Sequence, residues 1–217
     1  MLRAVLILSS LMALCTDQSA AADPVRAQKQ PSQTAATSPF MRVFGNALPP
    51  FGFVDFCDRT PSECVPSGPA EARFEATPQR IAELDDVNRT VNRQIVPVTD
   101  LELYGVQEFW TIPVDRGDCE DYVLLKRQIL MRRGWPSSAL LITVVRDERG
   151  DGHAVLTART AQGDFVLDNK VAVVKPWQQT GYRFIMRQSY VDPRMWMSLS
   201  PDANGRGAVA TSMPARN

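Results

Sequence analysis

Apolar positions along the chain fall into segments of distinct period, separated by loops rich in Pro, Gly, Asp and Ser. Thr77-Pro78 opens the first clear segment. Threonine suits a helix N-cap and proline the first helical position. Ile81, Leu84, Val87, Val91 and Ile95 follow three and four residues apart, which predicts an amphipathic helix. A second helix is expected from Cys119. Tyr122, Leu125 and Ile129 recur at helical spacing, with Val123 and Leu130 beside them. Arg132 and Arg133 suit its last turn, Gly134 its end, and Pro136 follows. Asp118 suits its N-cap, where a carboxylate accepts orphan backbone N–H bonds. The two helices are expected to pack on one another.

Beyond Pro136 the period changes to two. Leu140, Ile142 and Val144 alternate with their neighbours, as do Val155 and Thr157 after His153. The polar turn from Asp147 to Gly152 joins these segments as a hairpin. Asp164 to Leu167 is expected as a third strand, ending in Asp168-Asn169, and Gly181 to Met186 as another. Helices first and antiparallel strands afterwards define an α+β class. Phe40 to Phe56 is apolar but broken by Gly45, Pro49, Pro50 and Gly52, so irregular packed coil is expected there. Trp110 is read either as a site-lining group or as core.

The ends change the picture of where the protein works. Arg3, the apolar run Ala4 to Leu14, and Ala20-Ala21-Ala22 before Asp23 have the order of a cleaved signal peptide over residues 1–22. The run is too short to span a bilayer. Cys15 raises a lipoprotein alternative, but the bulky Leu14 precedes it. Residues 23–38 and 201–217 have the composition of a disordered leader and tail. This leaves one domain over 39–200, periplasmic or secreted, with no stable membrane insertion after signal cleavage. Lys and Arg number 24 and Asp and Glu 24, so bulk charge gives no reason to expect nucleic acid as a partner.

Export gives the cysteines meaning. Removal of Cys15 leaves Cys57, Cys64 and Cys119. Cys57 and Cys64 flank a short turn-rich loop that a disulfide can close. Zinc is the competing reading, but the spacing is wide and partners are few. Cys119 is then the odd thiol, and an odd thiol in an exported protein is a candidate nucleophile. In the first turn of a helix it feels the positive end of the macrodipole, which favours thiolate. Its base is sought in His153, the chain's single histidine. Asp168, at the end of the neighbouring strand, is the candidate to orient the imidazole. A core cysteine, a structural histidine and a turn aspartate are the plain readings of each residue alone. The order Cys, His, Asp is what joins them.

Asp118, Glu120 and Asp121 flank the thiol. Acidic residues suit a helix N-terminus for ordinary dipole reasons. Three anions beside a thiol also oppose its ionisation, and a divalent cation bound by them offsets that. Oxygen-only ligands favour calcium over zinc. Asp115 is a further ligand candidate.

Gly117-Asp118-Cys119-Glu120-Asp121-Tyr122, then Gly152-His153-Ala154-Val155, then Leu167-Asp168-Asn169 together resemble the bacterial transglutaminase-like cysteine proteinases, including the LapG-like periplasmic proteases. The resemblance runs from about Phe40 to Trp196. It implies a papain/transglutaminase-like fold, with the nucleophile helix packed on an antiparallel sheet. It implies Cys119, His153 and Asp168 as the catalytic triad, and calcium on Asp118, Glu120 and Asp121. The expected function is that of an exported, calcium-dependent cysteine endopeptidase acting on a surface or periplasmic protein through a thioester acyl-enzyme. The alternatives are transglutaminase-like acyl transfer to an amine and a catalytically silent periplasmic binding module.

Overall fold

The computed structural model describes residues 38–69 and 73–201. The expected signal peptide, nearly all of the leader and nearly all of the tail lie outside the described residues. Four α-helices are described: α1 (Phe51–Arg59), α2 (Pro78–Gln94), α3 (Asp100–Tyr104) and α4 (Cys119–Arg132). The strands are β1 (Gly45–Ala47), β2 (Val96–Pro97), β3 (Arg116–Gly117), β4 (Leu140–Arg146), β5 (Gly152–Thr160), β6 (Gly163–Leu167), β7 (Lys175–Pro176), β8 (Arg183–Gln188) and β9 (Trp196–Ser198).

Both expected helices form near their expected bounds. Thr77 caps α2, its side chain accepting from the Arg80 amide at 3.2 Å. Leu84, Val87, Asn88 and Val91 make its buried stripe, which packs on α4. The helix α4 ends as its sequence dictates, with Gly134 in the left-handed region at φ 90°. The end of the expected coil, Phe51 to Phe56, instead belongs to a helix that runs Phe51–Arg59. Its prolines stop short at Pro50, where fixed φ is compatible with entry to a helix. Gly52 permits that helix to sit on Trp110, since a Cβ there would lie 2.4 Å from the indole Cδ1. Trp110 is thereby a core residue, edge-on to Phe53.

The main sheet has seven strands in the order β1-β9-β8-β4-β5-β6-β7, paired antiparallel. The strands β4 and β5 are buried nearly throughout because both faces are covered. Ile142, Val144, Ala154 and Leu156 join the larger core with residues of α1, α2 and α4. Val145, Val155, Val166 and Phe184 join a smaller cluster with Met41 and Leu199. The alternation seen in the sequence thus divides two cores, with the helices on one face. This is the α+β class expected.

Cys57 and Cys64 form a disulfide, so neither is available to zinc. The bridge ties the last turn of α1 to a short 3-10 turn at Pro61–Cys64. That turn is bolted to α4, where Arg127 donates to the Glu63 carbonyl at 3.0 Å and Gln128 to its carboxylate at 2.7 Å.

Candidate active site

Three elements converge on the thiol. The parallel pair β2–β3 delivers the chain to Asp118, α4 begins at Cys119, and β5 passes beneath. Cys119 is half-buried and is the free cysteine among the described residues. The strand β5 packs against α4, and the backbone at Ala154, next to His153, favours the Cys119 thiolate. The first-turn N–H of Cys119 has no carbonyl four residues back within its own helix, so it is available to an oxyanion.

His153 is the second residue of β5, opposite Val145. The β5–β6 register pairs Leu156 with Leu167, so Asp168 emerges beside the His153 end of β5. His153 Nε2 lies 2.9 Å from Asp168 Oδ1, with both side chains buried. Nδ1 is then the ring nitrogen left for proton transfer. Asp168 Oδ1 also accepts from the Lys170 amide at 2.9 Å, and Oδ2 accepts from the Tyr182 hydroxyl at 2.6 Å. The Tyr182 ring also meets the imidazole edge-on at 5.7 Å. Burial raises the Asp168 carboxyl, but the His153 bond and charge and the Tyr182 bond outweigh it and hold the group below its usual range. Burial and the Asp168 carboxylate push the Tyr182 phenol up, so it stays a proton donor.

The loop carrying Asp168 is clamped from α2. Asn92 donates to the Asp168 carbonyl at 2.8 Å. Asn88 donates to the carbonyls of Val171 and Ala172 at 2.9 and 3.1 Å. The sequence did contain a signal for this clamp. Two amides four residues apart interrupt an apolar helical stripe, and buried amides need partners. Tyr182 gave no comparable signal, since a tyrosine beside a strand is ordinary.

Carboxylates crowd the other side of the thiol. Ligand oxygens of Asp100, Asp118 and Glu120 lie within 4.8 Å of one another. Asp118 and Glu120 were expected there, whereas Asp100, on α3, was not. Its segment reads as an ordinary capped helix, with Thr99 and Glu102 forming a capping box. Asp121 lies outside that trio, its Oδ1 accepting from the Thr111 amide at 2.8 Å. Gly117 makes room for it, because a Cβ there would lie 2.4 Å from Asp121 Oδ2. Asp115 is exposed and paired with Arg116. Asp118 takes the N-cap position but makes no side-chain cap bond, its Oδ1 being turned into the cluster.

Among the described residues, Asp100 Oδ1, Asp118 Oδ1, Glu120 Oε1 and Asp121 Oδ2 are buried without hydrogen-bond partners. Burial and the Asp100 charge push Asp118 up to about 7. Burial pushes Asp121 up to about 8. Burial, then Asp118, hold Glu120 well above its usual range. The thiol of Cys119 is driven up by burial and by Glu120 and Asp118, so the carboxylates overcome the helix-dipole effect expected from sequence. Orphaned oxygens of a single chemical type that cannot all ionise together fit a hard divalent cation.

A half-buried thiol at a helix start, with an Asp-held imidazole on the adjoining strand, is the order of groups found in cysteine hydrolases. Residues 43–204 match the family described as bacterial transglutaminase-like cysteine proteinase BTLCP, and the chain belongs to that family. Solved structures similar to it include Legionella pneumophila LapG, at 24% identity and TM-score 0.44, covering 52% of this chain and 65% of that one. Its calcium-bound form matches at 23% identity and TM-score 0.47, covering 64% of this chain and 77% of that one. Its EGTA-treated form matches at 23% identity and TM-score 0.46, covering 57% and 69%. No curated protein matches the chain. No described helix is long and apolar enough to cross a membrane.

Proposed function

We propose that residues 39–200 form an exported cysteine endopeptidase whose triad is Cys119, His153 and Asp168. The observation that carries this reading is the buried His153 Nε2–Asp168 Oδ1 bond, which leaves Nδ1 as the ring nitrogen free for proton transfer, on the strand that packs against the Cys119 helix. Nδ1 takes the thiol proton as Sγ bonds to the scissile carbonyl carbon. The oxyanion is met by the Cys119 N–H. The imidazolium returns the proton to the leaving amine as the C–N bond breaks, which leaves a thioester. Water, giving its proton to Nδ1, adds to the thioester carbon; the C–S bond breaks, the carboxylic acid leaves, and the proton returns to Sγ.

Asp118, Glu120 and Asp100 would hold calcium, with Asp121 beside them. Calcium bound there would supply positive charge against the anions that oppose the thiolate. Support comes from the orphaned buried oxygens. LapG, to which the chain is similar, is known in a calcium-bound form. The signal-peptide-like order of residues 1–22 supports a periplasmic or secreted enzyme, with a surface or periplasmic protein as its substrate.

The test is incubation of the purified mature protein, in calcium, with exported proteins of its host. The expected result is discrete fragments that are absent with Cys119→Ala and with His153→Ala. Fragments of equal yield from either variant would overturn the triad.

A further inference from the structure

Asp147 is the first residue after β4, and its side chain is 3% exposed. Its Oδ1 accepts from the amides of Arg149 and Asp151, both at 2.9 Å. Those two bonds close the turn that carries the chain into β5, where His153 is the second residue. An asparagine oxygen would close such a turn without burying a charge. The second oxygen accounts for the carboxylate. Oδ2 accepts at 2.9 Å from Nζ of Lys170, which lies in the loop after β6.

Lys170 is joined to the orienting acid by its main chain. Its amide donates at 2.9 Å to Asp168 Oδ1, the oxygen that also lies 2.9 Å from His153 Nε2. The amide of Lys170 thus fixes the oxygen that holds the imidazole, and its ammonium is anchored on the hairpin that carries the imidazole. The amides of α2 hold this loop at the carbonyls of Asp168, Val171 and Ala172. Lys170 stands between those points and is held from the hairpin instead. Arg149 is another cation near Asp147, but its Nε is 3.9 Å from Oδ2 and its side chain is 67% exposed. So solvated a partner does little for a buried carboxylate. Burial raises Asp147, but the Lys170 bond and the turn amides outweigh it and hold the group at about 2, so it is a carboxylate at neutral pH.

We propose that Asp147 and Lys170 are positioning residues for the triad: their ion pair ties the hairpin that carries His153 to the loop that carries Asp168, and so holds imidazole and carboxylate together. This rests on the triad reading above. Asp147 acts through the start of β5, and Lys170 acts through its own amide on Asp168 Oδ1. Loss of the pair leaves each catalytic group in its own element but frees the two elements to shift against one another. A base displaced from its orienting acid is a weaker base in the geometry that matters, and small displacements carry large penalties in rate.

The experiment follows alkylation of Cys119 by iodoacetamide in the mature protein, at neutral pH in calcium, so no substrate has to be known. Asp147→Asn keeps an oxygen for the turn amides but sets an amide donor against Lys170 Nζ. Lys170→Met removes the cation from a side chain that is 38% exposed, which leaves the core intact. Each is expected to slow alkylation about tenfold. The double variant is expected to be no slower than either single one, because both remove the same link. Lys170→Arg keeps a cation there and is expected to recover most of the wild-type rate. His153→Ala gives the rate of a thiol without its base. If His153→Ala is slow while Lys170→Met reacts as fast as wild type, the proposal is overturned and the triad reading stands. Effects that multiply in the double variant overturn it as well, since each residue would then act alone. If Asp147→Asn does not fold, Lys170→Met is compared with Lys170→Arg, and equal rates in those two overturn it. If His153→Ala reacts as fast as wild type, the triad reading itself falls and takes this proposal with it.

Discussion

The Cys119 thiol lies 2.9 Å from Glu120 Oε2, its own neighbour in the first turn of α4, and donates to it. A thiol bonded to a carboxylate is held as the protonated, unreactive species. Thiolate formation at Cys119 is therefore opposed by the same residues that form the carboxylate cluster. This arrangement makes the reactivity of Cys119 an indicator of whether those carboxylates are neutralised.

Iodoacetamide alkylation of Cys119, followed against pH, is expected to be slow in chelator and to speed up at neutral pH in calcium. Burial, Glu120 and Asp118 all raise the thiol when no cation is bound. Chelation should also abolish cleavage, and added calcium restore it. Glu120→Gln removes one charge and one ligand, so it should weaken calcium binding without unfolding the protein. Coincident alkylation curves with and without calcium would leave these carboxylates only their interaction with the helix dipole.

Stability in chelator should fall as pH rises. Asp118 and Asp121 have folded-state values raised from 3.8 to about 7 and about 8, so the folded state holds protons that the unfolded chain has released. Their contribution is fully present below 3.8 and is lost progressively up to about 8. Thermal unfolding at several pH values in chelator should show Tm declining across that window. Calcium should flatten the decline, since binding only the folded state stabilises it. A Tm in chelator that rises over the same window would contradict the folded-state protonation described here.

Tyr182→Phe should lower kcat with little change in KM. The hydroxyl donates to Asp168 Oδ2 and is part of what holds that carboxylate low. Without it one oxygen of a buried carboxylate loses a partner, a loss of about 1–3 kcal/mol. Steady-state kinetics on any cleaved substrate separates this from a binding role, which would raise KM alone.

Cys57→Ser with Cys64→Ser should lower stability by about 2–3 kcal/mol, as expected for a short closed loop. The bridge joins α1, which carries the wall against Trp110, to the turn fixed on α4. Denaturant unfolding of the double variant checks the magnitude. Mass spectrometry of the unreduced wild type should show Cys119 as the free thiol of the mature chain.

The local elements were written in the sequence because their causes are local. Thr77-Pro78 starts α2, Gly134 ends α4, and period-two runs make β4, β5 and β6. The helix at Phe51–Arg59 was hidden because Pro49, Pro50 and Gly52 read as breakers. Only its packing on Trp110 explains why a glycine is required inside it.

At the site the division falls along sequence distance. Cys119 with Asp118, Glu120 and Asp121 is a contiguous cluster, and His153 is the chain's single histidine, so both could be read directly. Asp168 could be placed because an antiparallel hairpin brings neighbouring strand ends together. Asp100 and Tyr182 could not be singled out. Each is ordinary for its local element, and each acquires meaning from a partner on another element. Nor could the sequence weigh the helix dipole against the carboxylates at Cys119. That balance depends on burial, which strengthens charge interactions and penalises every unpaired ion, and burial is decided only when α3, α4 and β5 close around the thiol.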